Sequence, residues 1–135
     1  MSSCDRKCDP SSPPLTCSYV FVVEWFTVLS KACYDCPLNL TDCARPHCIA
    51  GDGVERGVVV VNRSLPGPDI VVCRGDRVEV EVVNRLPATT TSIHWHGQQV
   101  LGEGWNDGVP GVTQCPILPG TRFRYRFTAN SGAIL

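Results

Sequence analysis

Net charge is almost absent from this sequence: twelve Lys and Arg stand against thirteen Asp and Glu in 135 residues, a formal balance of −1. The basic footprint that a nucleic-acid binder needs is therefore missing. Long apolar runs are missing too. The longest, Tyr19 to Leu29, is interrupted by Glu24 and is far short of the roughly 20 residues that span a bilayer, so no transmembrane helix is expected. No segment has a sustained 3.6-residue apolar period or a cap followed by one, which points away from a helical fold. The start, Met1-Ser2-Ser3-Cys4-Asp5-Arg6, lacks the apolar stretch of a signal peptide. Histidine is scarce, with three in the chain.

Cysteine, by contrast, is abundant. There are nine, and Cys4, Cys8, Cys17, Cys33, Cys36, Cys43 and Cys48 all fall within the first 48 positions, a crowding that means disulfides or zinc. The run Cys33-x2-Cys36-x6-Cys43-x4-Cys48 could offer four thiolates to a zinc-stabilised knuckle. Zinc ribbons, however, pair two short knuckles across a longer spacer, so disulfides are the preferred reading. The sequons Asn39-Leu40-Thr41 and Asn62-Arg63-Ser64 lean the same way, toward an extracellular chain. An odd count leaves at least one thiol without an internal partner.

The size fits one core. Residues 1–52 read as a cysteine-rich, loop-rich N-terminal extension that includes one aromatic and β-branched strand over Ser18 to Leu29. From residue 53 to 135 the pattern is that of short strands. Val58 to Val61 and Ile70 to Val72 are apolar runs separated by Pro66-Gly67-Pro68. Arg77 to Val83 alternates so that Val78, Val80 and Val82 share one face. Arg122 to Phe127 alternates so that three aromatics face inward and three arginines outward. Many short strands between Gly and Pro turns imply an all-β antiparallel sandwich or barrel.

Two of the three histidines stand in Ile93-His94-Trp95-His96-Gly97. If this stretch is extended, residues two apart lie on one face about 6.5 Å apart, and both imidazoles project together while Trp95 points the other way. Neutral imidazole suits copper and zinc, so the spacing fits metal ligation. Two half-exposed histidines on an ordinary strand are the plain alternative. His47 reads as a loop histidine, Trp95 as packing and Gly97 as a turn glycine.

His94-Trp95-His96-Gly97-Gln98, followed by Trp105-Asn106-Asp107-Gly108-Val109-Pro110 and Thr113-Gln114-Cys115-Pro116-Ile117, resembles the first plastocyanin-like domain of the multicopper oxidases. Upstream, Lys31-Ala32-Cys33-Tyr34-Asp35-Cys36-Pro37, Thr41-Asp42-Cys43, Val61-Asn62-Arg63, Pro66-Gly67-Pro68 and Cys73-x-Gly75-Asp76 resemble the N-terminus of the insect-type laccases. The resemblance implies a cupredoxin-like, antiparallel Greek-key β-sandwich and copper as cofactor. It implies His94 as a ligand of the type 2 copper, His96 as a ligand of one type 3 copper, and Asp107 as an acid that helps deliver protons to reduced oxygen. A turn Asp before Gly108 is the plain reading of Asp107.

The departures matter equally. A laccase takes electrons from a phenol through a type 1 copper and reduces dioxygen at a cluster whose histidines come from the first and last of several cupredoxin domains. Of those ligands this chain offers only His94 and His96. In the family the strand resembling Phe123 to Thr128 leads into a further His-x-His. Here it leads to Asn130-Ser131-Gly132-Ala133-Ile134-Leu135, which implies an N-terminal piece of a longer enzyme, inactive alone and partnered by the parent's remaining cupredoxin domains. The stray thiol is then Cys115 or Cys73, stranded without a later domain. The alternative is a non-catalytic secreted β-sandwich that acts as an interaction module and binds metal weakly at most.

Overall fold

The computed structural model describes residues 4–96, 98 and 114–130. Four strands, β1 (Thr16–Thr27), β2 (Gly57–Val61), β3 (Arg77–Asn84) and β4 (Arg122–Thr128), form a sheet of order β2-β1-β3-β4. By compactness the chain divides into two units. One takes the chain up to Phe21 and again from Asp69, and the other is Val22–Pro68.

In the first unit the alternating residues of β3 do what their period dictates. Val78, Val80 and Val82 are fully buried, and the antiparallel register sets Phe127, Tyr125 and Phe123 opposite them in turn. Valine against aromatic is a favoured cross-strand pairing, worth a few tenths to about 1 kcal/mol each. The opposite face is a charge ladder in which Arg122 meets Glu81 at 2.8 Å and Arg126 meets Glu79 at 3.3 Å. Pairs as exposed as these arginines contribute little stability. Their use is to keep this face wet and fix the register.

The N-terminal arm of this unit is tied down covalently and by charge. Cys4 is bonded to Cys17 and Cys8 to Cys73. Between them the Arg6 guanidinium grips the fully buried Asp76 carboxylate with two bonds, Nη1 to Oδ2 at 2.8 Å and Nη2 to Oδ1 at 2.9 Å. The same carboxylate accepts the Leu15 N–H at 2.8 Å and the Cys73 N–H at 2.9 Å. Cys73 and Asp76 close a turn through the Asp76 N–H and the Cys73 carbonyl at 3.0 Å, with Gly75 at φ +93°. Positive φ at that third turn position is where glycine is required. Ile70 to Val72, expected as a strand, is not one. Held between Pro68 and this turn, it has no room for a ladder, and the Val71 carbonyl accepts the Tyr19 hydroxyl at 3.3 Å instead.

In the second unit the end of β1 pairs with β2, Trp25 against Val59 and Phe26 against Val58. Val28, Ile49 and Val60 form its core, with Phe26, Leu29 and Val58 packed around them. A nested pair of bridges, Cys33 to Cys48 and Cys36 to Cys43, staples the loop between the strands. That corrects the zinc reading of these four cysteines, because their sulfurs are joined to one another. A single 3-10 turn, Lys31–Cys33, and one helical turn, α1 (Leu40–Cys43), occur here. Each is about one turn long, so no periodicity could reveal it, and each is started by a side-chain oxygen, of Ser30 and Asn39, that accepts a backbone N–H.

Candidate metal centre

The segment that carries His94 and His96 is positioned from β3 and β4. At the end of β3 the fully buried Asn84 spends its whole side chain on the backbone of two loops. Its Nδ2 donates to the carbonyls of Thr89 and Ile117, each at 2.9 Å, and its Oδ1 accepts the Leu86 N–H at 2.9 Å. Thr91 and Ile117 then exchange two backbone bonds, 3.1 and 2.8 Å long. Beyond that bridge the chain stays non-helical through Trp95.

Tyr125 holds the residues just past the bridge. Its hydroxyl, on a residue with no exposed surface, accepts the Ile93 N–H at 3.2 Å. Burial raises the phenol above its ordinary range, and the bonds from Ile93 and from the Gln114 side chain pull it part of the way back. The Trp95 indole, 4% exposed, packs edge-on to Tyr125 at 5.6 Å and on Phe127 at 4.8 Å between ring centroids. Aromatic pairs at these separations are favoured beyond their buried area. With Trp95 anchored inward, the neighbours on either side must face out. His94 and His96 are both exposed, with ring centroids 5.6 Å apart and planes 82° apart. The alternation expected of this stretch is therefore what is seen.

The donor set fits a borderline first-row ion. Two imidazoles side by side on an anchored segment offer nitrogen ligands with little ordering cost, and two ligands leave most of the coordination shell open. Asp107 lies outside the described residues, as do Gly97 and the whole stretch 99–113. His47 is exposed in its loop with φ +66°. The other cluster of metal-binding residue types among the described residues is Cys4, Cys17 and Asp76. It holds no ion chemistry: the two sulfurs form a disulfide and the carboxylate is saturated by Arg6 and two backbone N–H groups. With four bridges formed, Cys115 remains as the free, exposed cysteine. Cys73 is consumed by Cys8, so of the two candidates for the stray thiol Cys115 is the one left. Sequence reasoning missed Asn84 and Tyr125 as the residues that aim this segment. The inward alternation of β4 was a signal for Tyr125, and a lone Asn at a strand end gave none.

An antiparallel sheet that presents two neighbouring imidazoles on an anchored segment can be set beside known proteins. The multicopper oxidase family model matches residues 42–134. The chain belongs to the multicopper oxidase family. It is 51% identical over 80 residues to "Multicopper oxidase MCE" of Talaromyces pinophilus, covering 59% of this chain and 13% of that protein. It is 55% identical over 73 residues to "Laccase-15" of Oryza sativa subsp. japonica, covering 54% and 12%. Among solved structures, the laccase from Botrytis aclada superposes with a TM-score of 0.68 at 36% identity, over 87% of this chain and 18% of that one. Fet3p, a multicopper oxidase that functions in iron import, gives 0.63 at 33%, over 84% and 18%. The fold is thus cupredoxin-like and mostly β, as expected from the sequence. The chain spans only 12–15% of the length of the curated relatives it matches. Those relatives are fungal and plant proteins.

Proposed function

We propose that this chain is the N-terminal cupredoxin domain of a laccase-like multicopper oxidase. His94 supplies one ligand to a type 2 copper and His96 one ligand to a type 3 copper. The observation that carries this reading is the pair of exposed imidazoles on one side of a segment whose intervening Trp95 is buried. Copper, when bound, supplies one-electron redox chemistry there. The chain's own part is to hold two nitrogen donors in a fixed direction, with Tyr125 and Asn84 keeping the segment in place.

The parent enzyme would oxidise phenols or catechols and return four electrons to dioxygen, forming water, with the remaining cupredoxin domains supplying the type 1 site and the other cluster ligands. The isolated chain lacks that electron entry and is inactive with phenols. Asp107 serves as a proton donor near the cluster, and residues 1–52 act as the cysteine-rich extension of a plastocyanin-like domain over 53–135, of insect type. Four disulfides support an extracellular location, since such bridges persist in oxidising compartments. Cys115 is available to bridge to another domain.

Copper titration tests the reading. His94→Ala and His96→Ala should each weaken Cu(II) binding tenfold or more, about 1.4 kcal/mol per tenfold. Tyr125→Phe, which keeps the ring but removes the acceptor of the Ile93 N–H, should weaken it about tenfold while leaving both ligands present. Copper binding that survives both histidine changes would instead favour a non-catalytic interaction module.

A further inference from the structure

We propose that Asn39 carries an N-linked glycan and that Asn62 does not. Both stand in Asn-x-Ser/Thr triplets, yet the fold uses the two side chains differently. Asn62 and Arg63 have φ of 52° and 59°, the pair of positive values that a two-residue reverse turn requires. The Asn62 N–H donates to the Val22 carbonyl at 2.9 Å, and its side-chain oxygen accepts the Val22 N–H at 2.8 Å. Arg63 beside it is paired with Glu24 at 3.2 Å, and the Ser64 hydroxyl donates to the Val61 carbonyl at 3.1 Å. The Asn62 carboxamide is thus a clip that closes the turn onto β1 across 40 residues, whereas the corresponding Asn39 bond is local.

Asn39 sits in the loop closed by Cys36 and Cys43 and is exposed, as is Thr41. Its side-chain oxygen accepts the Thr41 N–H at 3.1 Å, and its Nδ2 has no partner among the described residues. A second observation points to the same place. Leu38 is 95% exposed and Leu40 80%, flanking Asn39 on both sides within that loop. Single exposed leucines are ordinary, but apolar side chains gathered this densely call for cover. A hydrated glycan attached between them supplies it.

The donor is a lipid-diphosphate-linked oligosaccharide. A bond forms between Asn39 Nδ2 and the sugar C1, the C1–O bond to the diphosphate breaks, the diphosphate leaves with the electron pair, and one Nδ2 proton passes to a base of the transferring enzyme. Nothing is oxidised or reduced. The inference is independent of copper. It needs only passage through a secretory route, which the experiment can supply by placing a signal peptide before Met1 in a secreting eukaryotic host.

Intact mass of the secreted chain, before and after peptide N-glycosidase, is the measurement, with peptide mapping of the deamidated position. The expected result is one glycan, on Asn39, present at full occupancy in Asn62→Gln and abolished in Thr41→Ala. Thr41→Ala leaves the Asn39 carboxamide and its backbone bond in place, so its loss of glycan does not reflect a broken loop, and Thr41→Ser should retain modification. A secreted chain unmodified at Asn39, or a glycan found on Asn62, would overturn the proposal.

Discussion

Replacing Cys8 and Cys73 together by Ala should lower the free energy of unfolding by about 4 kcal/mol, against about 2 kcal/mol for the Cys36 and Cys43 pair. The difference follows from loop length. Cys8 and Cys73 are 65 residues apart and Cys36 and Cys43 only 7, and a bridge removes more freedom from the unfolded chain the longer the loop it closes. The Cys8–Cys73 bridge also joins the arm that precedes β1 to the turn that precedes β3, so its loss leaves the segment carrying Arg6 held by Cys4–Cys17 and the Asp76 carboxylate. Denaturant unfolding of the two double variants under identical conditions measures the ranking. A smaller loss for the long loop than for the short one would show that the arm is held mainly by something other than the Cys8–Cys73 bridge.

Asp76→Asn should cost about 2–3 kcal/mol near neutral pH, since it leaves the partly exposed Arg6 facing a neutral amide where a buried carboxylate had accepted its bonds. The Arg6 bonds, reinforced by the Leu15 and Cys73 N–H groups and opposed by burial, hold the Asp76 carboxyl well below the usual carboxylate range. A group depressed in this way is protonated more readily in the unfolded chain than in the folded one. Its stabilisation is therefore complete above the ordinary Asp value, roughly 4, and is lost progressively as pH falls from there toward the depressed folded value. Stability of the native sequence should fall across that acid window, and Asp76→Asn should show a flatter profile. Equal pH slopes in the two proteins would remove Asp76 from the acid response.

Much of the fold was legible because it obeys a period of two. Val78, Val80 and Val82 against Phe123, Tyr125 and Phe127 could be assigned to a common interior from the sequence, and the limits of β1, β2, β3 and β4 lie within a few residues of the expected strands. The hidden features depend on tertiary partners. Ile70 to Val72 has strand composition, yet Pro68 on one side and the Asp76 turn on the other deny it a neighbour. The helical turn at Leu40 exists because a disulfide and the Asn39 oxygen hold it, and neither leaves a periodic trace. At the site the spacing of His94 and His96 was readable and their common direction followed from it. The devices that enforce that direction include the Tyr125 hydroxyl on Ile93 and the Asn84 amide on Ile117, contacts across 32 and 33 residues that no local pattern encodes.

The central claim is that two imidazoles of this chain are presented together to copper. Pulsed EPR of the Cu(II)-loaded chain tests it most directly, because the remote nitrogen of each coordinated imidazole leaves its own coupling. The account predicts couplings from two imidazoles in the native sequence and from one in each of His94→Ala and His96→Ala. Identical spectra in all three proteins, as binding through the N-terminal amine or backbone amides would give, would contradict it.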